Sequence, residues 1–198
     1  MNILATAVHP TASCAGIAIA PELARLRDTL PRPLVFSNGV FDLLHAGHVA
    51  CLQAARAQGA ALVVGVNSDA SARRLKKGPG RPINREQDRA SVIAALAAVS
   101  AVLVFDEDKP LALICALRPD VYVKGGDYDA ARMAEAALMR EWGGRTVIVP
   151  RLPALSTTAL VARVRTFWPG PAAAPGTALR PVSLAAPPTA TVSAWIEP

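Results

Sequence analysis

The sequence predicts an α/β fold, a Rossmann-like open parallel sheet of five strands with helices on both faces. Three observations predict it. Short β-branched or apolar runs alternate with longer helical patterns, the order that forces parallel strands joined by crossover helices. Several runs end in turn-forming residues, as at Asn38-Gly39 and Gly125-Gly126, which tolerate the backbone of a sharp turn. The helical stretches carry their own start and stop signals.

In chain order the strands are "PLVFS", "ALVVGVN", "AVLVF", "DVYVKG" and "RTVIVP", and the helices cover 46–58, 84–99, 109–117, 129–142 and 156–168. Asn84 and Gln87 are spaced like a capping box, and Asp129 is a candidate N-cap. Gly143-Gly144 stops the fourth helix. A short helix follows Asp69, which is placed to cap it. In such a sheet ligands bind beyond the carboxyl ends of the strands.

With 198 residues the expectation is one domain with enough chain to bury a core. Residues 1–20 read as a flexible leader, 21–168 as the domain, and 169–198 as a disordered tail in which half the residues are Pro or Ala. A formal charge of +6 suits an anionic partner. Aromatics at 5% and the absence of a basic run interleaved with them argue against nucleic acid. Cys14, Cys51 and Cys115 are odd in number and far apart, which fits neither a disulfide framework nor a zinc ribbon and points to a reducing cytoplasm. Without a secretory start or an apolar run of about 20 residues, no membrane association is expected.

The stretch "SNGVFDLLHAGH" holds the chemistry. A strand runs into Asn38 and Gly39, the turn presents Phe41 and Asp42, and a helix starts at the histidines. His45 and His48 are three apart, so both rings project from one face beside the free amides and positive dipole end of the helix, an arrangement suited to phosphate. A plain polar helix surface is the simpler alternative, but Gly47 between the rings weakens helix propensity and leaves a path to the backbone. His-x-x-His can also supply two zinc ligands. Only Asp42 offers an obvious third, so no metal-ligand set is assigned.

"GVFDLLHAGH" resembles the HxGH signature of the nucleotidyltransferase superfamily. The run from "SNGVFDLLHAGH" through "GPGRPIN", then "VKGGDY", then "LSTTALVARV" is similar, in order and spacing, to the adenylyltransferase domains of bifunctional heptose enzymes of lipopolysaccharide core synthesis. The resemblance implies the nucleotidyltransferase fold and transfer of AMP from ATP to D-glycero-β-D-manno-heptose 1-phosphate, with Mg2+ neutralising the triphosphate. In that reading His45 and His48 are catalytic donors to the transferring phosphoryl group. Either Lys76 or Lys77 matches the family's phosphate-contacting lysine, since anchoring the match from the left picks the first and from the right the second; Lys77 is assigned as catalytic and Lys76 as nucleotide-binding. Gly78, Pro79 and Gly80 make their loop a lid, which carries Arg81.

Ser156, Thr157 and Thr158 form the second phosphate seat, although Ser156 as an ordinary N-cap would also explain the spot. The family's glycine before this segment is replaced by Pro153-Ala154-Leu155. Asn38, Gly39, Phe41, Asp42, Gly47, Lys124 and Gly125 complete the expected nucleotide site. Asn67, Asp69, Arg81, Asp127, Tyr128 and Arg151 are the expected substrate contacts. Arg151 occupies the place of an arginine in glycerol-phosphate cytidylyltransferases, so a cytidylyltransferase acting on a polyol phosphate or phosphoethanolamine is the rival. A nucleotide-binding module without turnover is the alternative outside enzymes. The resemblance also implies a homodimer and a separate sugar kinase upstream, since the chain has no room for one.

Overall fold

The computed structural model describes residues 4–5, 20–75, 78, 80–150 and 155–167. The chain divides into two units, Met1–Val161 and Ala162–Pro198. The first contains a sheet of β1 (Leu4–Ala5), β2 (Leu34–Gly39), β3 (Ala61–Asn67), β4 (Ala101–Phe105), β5 (Val121–Gly125) and β6 (Arg145–Val149). The order is β1-β4-β3-β2-β5-β6, and every neighbouring pair is parallel. The connections are α1 (Pro21–Thr29), α2 (Ala46–Arg56), α3 (Asp69–Arg74), α4 (Glu86–Ala94), α5 (Leu111–Leu117), α6 (Ala134–Arg140) and α7 (Thr157–Phe167).

The period-two alternation of the strands sends their side chains to two cores. Leu34 and Phe36 of β2, Val63 of β3, Leu103 and Phe105 of β4 and Tyr122 of β5 pack with Leu23 and Leu26 of α1, Leu113 and Leu117 of α5 and Met139 of α6. Val35, Leu62, Val64, Val66, Val102, Val121 and Val123 point the other way, against Leu52 and Ala55 of α2 and Ala90 and Ile93 of α4. Both faces of the central strands are therefore covered, which is why they read as continuous apolar runs. The five expected strands form. Leu4 and Ala5 add a sixth by pairing with Val102 and Leu103.

The helices differ from expectation in four places. α1 was not anticipated; only Leu23 and Leu26 of its nine residues are buried, too short an apolar stripe to stand out. α4 begins at Glu86 with Arg85 as N-cap and no side-chain cap; the Asn84 amide donates to the Asp42 carbonyl at 2.7 Å instead of capping. The single helix expected over 129–142 is a 3-10 turn, Ala130–Arg132, followed by α6, with Met133 extended between them at φ −88° and ψ 127°. Asp129 does cap, accepting from the Ala131 N–H at 2.9 Å. Ser68, not Asp69, caps α3, its hydroxyl accepting from the Ser71 N–H at 3.0 Å.

In the second unit the described residues, 162–167, belong to the end of α7, where Val164 and Phe167 are exposed. The tail beyond them lies outside the described residues. Among the described residues no helix is long and apolar enough to cross a membrane. The order of the sheet sets the site. From β2 the chain builds outward through β3 to β4, then returns to place β5 and β6 on the other side of β2, so the switch point lies between β2 and β5, where a crevice opens at the carboxyl ends.

Candidate active site

The crevice is a cleft of about 780 Å3, within the range of small-molecule sites. Its floor is the end of β2. The Asn38 side-chain oxygen accepts from the Tyr122 hydroxyl at 2.8 Å and from the Lys124 ammonium at 2.9 Å. Those two donors fix the amide orientation and leave its N–H groups for a ligand. Lys124 also lies 5.7 Å from the centroid of the Tyr128 ring.

After Val40 the backbone turns through Phe41, which has a left-handed φ of 50°. His45 then caps α2 from an extended conformation (φ −145°, ψ 167°), its Nδ1 accepting from the His48 N–H at 3.3 Å. The two imidazoles stack with centroids 3.7 Å apart and planes 18° apart, and Phe41 meets the His48 ring edge-on at 5.2 Å. Burial pushes the His45 pKa below the ordinary imidazole value of 6.5, and the helix N-terminus acts in the same direction. A neutral His45 whose Nδ1 accepts from the backbone carries its proton on Nε2, a donor.

Gly47 fits this arrangement, because a Cβ there would meet the His45 ring at 3.1 Å and the Leu155 Cβ at 3.2 Å. Across the cleft is the start of α7. The Ser156 hydroxyl accepts from the Ala159 N–H at 3.0 Å, so Ser156 is an N-cap as well as a cleft residue. The Thr157 and Thr158 N–H groups belong to the first helical turn and have no intrahelical acceptor. Two helix N-termini, those of α2 and α7, thus line one cavity.

The Asp42 carboxylate is taken up by the segment that precedes α4. Oδ1 accepts from the Ile83 and Asn84 N–H groups at 2.6 and 3.1 Å, and Oδ2 pairs with Arg81 Nε at 2.5 Å. Beneath it Arg89, buried on α4, donates to Val40 O at 2.5 Å, to Asn84 O at 3.0 Å and to Asp69 Oδ1 at 2.7 Å. This network binds the histidine turn to the 81–84 segment.

Asn38, Gly39, Phe41, Asp42, His45, Gly47, His48, Asn67, Arg81, Lys124, Gly125, Tyr128, Ser156, Thr157 and Thr158 all line the cleft. Asp69 and Asp127 do not: Asp69 pairs with Arg89, and Asp127 is exposed beyond the end of β5. Lys76, Lys77 and Arg151 lie outside the described residues. The cleft also contains Cys51, Lys109 and Glu135, none anticipated. Glu135 and Arg89 sit in helical stretches where a charge reads as solvent-facing, and no local spacing distinguishes a buried one. Tyr122 was hidden because its partner Asn38 is on the neighbouring strand. Among the described residues no group of three or more His, Cys, Asp or Glu could hold a metal ion.

Residues 36–165 match the family model described as cytidylyltransferase-like. Over 136 residues the chain is 57% identical to the D-beta-D-heptose 1-phosphate adenylyltransferase of Bordetella bronchiseptica, covering 69% of this chain and 84% of that protein. It is 53% identical over 166 residues to the bifunctional protein HldE of Streptomyces coelicolor, covering 80% of this chain but 35% of that longer protein. Among solved structures it is similar to the lipopolysaccharide core biosynthesis protein from Thermoplasma volcanium, with a TM-score of 0.50 and 30% identity over 60% of this chain and 95% of that one. The match to the family model runs from β2 into α7 and takes in both helix N-termini of the cleft, and the chain belongs to the cytidylyltransferase-like family.

Proposed function

We propose that the protein transfers AMP from ATP to D-glycero-β-D-manno-heptose 1-phosphate, forming ADP-heptose and pyrophosphate. The observation that carries the chemistry is the stacked pair His45 and His48 at the start of α2, in one cavity with the start of α7. The substrate rests on the 57% identity to an enzyme named for that activity.

A phosphate oxygen of the sugar 1-phosphate attacks the α-phosphorus of ATP, the bond to the bridging oxygen breaks, and pyrophosphate leaves with those electrons. The attacking oxygen is already ionised, so no general base is required. His45 Nε2 and His48 donate to the oxygens on which charge accumulates, and the Thr157 and Thr158 amides seat the leaving phosphates. The Asn38 amide and Lys124 hold the nucleotide at the switch point, and the charge of Lys77, assigned from the family resemblance, neutralises the triphosphate. Stacking fixes both imidazoles before substrate arrives, so little reorganisation is needed during the reaction.

Mg2+ would arrive with the triphosphate and would supply charge neutralisation there, since among the described residues no group of three ligating side chains could hold it. The acceptor is itself a sugar 1-phosphate, so a sugar kinase acts upstream. ATP chemistry of this kind belongs in the cytoplasm, and a homodimer is the assembly that the family resemblance supports.

Pyrophosphate release with Mg2+ tests the reading, crossing ATP and CTP against heptose 1-phosphate, glycerol 3-phosphate and phosphoethanolamine. Release with ATP and heptose 1-phosphate alone is expected. Release with CTP and a polyol phosphate would move the protein to the cytidylyltransferase reading suggested by Arg151, and silence across the panel would leave a binding module.

A further inference from the structure

Phe41 holds a backbone conformation that bulky side chains avoid. Its φ of 50° lies in the left-handed region that turns usually give to Gly or Asn. The turn is clamped on both flanks. On one side Arg89 donates to the Val40 carbonyl at 2.5 Å. On the other, the Asp42 carboxylate accepts from the Ile83 and Asn84 N–H groups and the Asp42 carbonyl accepts from the Asn84 amide. Backbone strain of this kind persists only where its surroundings over-determine it, and it gathers at functional sites.

The ring shows what the conformation delivers. Half-buried, it packs on the core that α2 and α4 form with the sheet. It also lies over Gly39, where a Cβ would meet its Cε2 and Cζ at 3.1 Å. From there it meets the His48 imidazole edge-on, with centroids 5.2 Å apart and planes 70° apart, a favourable aromatic geometry. His48 stacks in turn on His45 at 3.7 Å. Core packing alone does not explain the arrangement, because any large apolar side chain would fill that space. A glycine would make the same turn without strain but would leave the imidazole without this contact.

Building on the reading of His48 as a donor to the transferring phosphoryl group, we infer that Phe41 is a positioning residue for His48. Its ring, held by the strained turn, fixes the orientation of the imidazole and acts on turnover through it, not by contact with the nucleotide. A displacement of about 1 Å can cost about 10²-fold in rate. A contact that restrains the donor therefore contributes to kcat and leaves the KM for ATP nearly unchanged.

The test is steady-state pyrophosphate release by the full chain, comparing the wild type with Phe41→Leu, His48→Ala and the double variant, together with the imidazole NMR signals of the free proteins. Leucine keeps the apolar volume and the left-handed φ and removes the ring edge. Phe41→Leu should lower kcat by about 10- to 100-fold, with the KM for ATP within about twofold of the wild type and little change in melting temperature. In the His48→Ala background the same substitution should cost nothing further. In the free protein it should shift or broaden the His48 signals, which comparison with His48→Ala assigns. Phe41→Gly and Phe41→Ala both lack the ring and should both be slow, with the glycine variant melting higher because it alone relieves the φ. A wild-type kcat in folded Phe41→Leu, an effect on KM alone, an equal further loss in His48→Ala, or unchanged His48 signals would each overturn the inference. A glycine variant that melts below the alanine one would overturn it as well. If CTP supports turnover in place of ATP, the adenylyl reading fails while the same ratios taken with CTP decide the role of Phe41. Silence with both nucleotides overturns the transferase reading, and the His48 signals then decide the positioning by Phe41 on their own.

Discussion

Arg89 Nη1 donates to the carbonyl of Val40 at 2.5 Å, joining a buried guanidinium on α4 to the residue just before the left-handed turn at Phe41. The same guanidinium holds Asn84 O and Asp69. The histidine turn is thus positioned from a helix that contributes no group to the cleft itself.

Removing this anchor should act on stability first. Arg89→Ala leaves the Val40 and Asn84 carbonyls and the Asp69 carboxylate without their donor, and a loss of about 3–5 kcal/mol is expected from breaking such a buried pair. Arg89→Lys cannot reproduce the three-way fork and should recover only part of that. Denaturant unfolding of the three proteins measures the differences.

Asp42 holds Arg81 and two backbone N–H groups with one carboxylate. Asp42→Ala should therefore free the 81–84 segment, raising the KM for ATP and destabilising the fold by a few kcal/mol, while Asp42→Asn should retain part of both. Steady-state kinetics beside thermal unfolding separates the two effects. An unchanged KM would detach the 81–84 segment from substrate binding.

At the histidines the expected effect is on turnover. His48→Ala should lower kcat by roughly 10²–10³-fold, the usual effect of removing one preorganised donor to a developing charge, with little change in melting temperature. Near-normal pyrophosphate release from the folded variant would remove His48 from the chemistry.

Gly47→Ala should separate stability from activity. An alanine in the first turn of α2 improves helix propensity by up to about 1 kcal/mol, but its Cβ would crowd the His45 ring at 3.1 Å. The expected variant is at least as stable as the parent and slower in turnover, because the imidazole must move. Full activity would show that the ring position is not critical.

Acid should remove activity through His45. Its folded pKa lies below 6.5 because of burial, so the unfolded chain takes up the proton first. The stability that neutral His45 contributes is complete above pH 6.5 and is lost as pH falls through the lower folded value. Protonation also ends the Nδ1 contact with the His48 N–H. The kcat/KM profile should have an acid limb below 6.5, displaced or absent in His45→Gln.

The sequence by itself determined the five strands β2 to β6, the two helix N-termini and the residues standing at them. Those features are local: period-two apolar runs, a histidine pair three residues apart and a serine-threonine cap each declare themselves within a few positions. Tertiary structure decided what those residues touch. Asp69 pairs with Arg89, twenty positions away, and not with its own helix end; Asn84 bonds Asp42, forty-two positions away; Tyr122 reaches Asn38 only because β5 pairs with β2. Glu135 reads as an ordinary helix-surface charge until α6 packs on β5 and turns it into the cleft. The physical reason is common to all four. Burial and pairing of a polar side chain depend on which strand becomes its neighbour, a long-range consequence of sheet order that no short window of sequence contains.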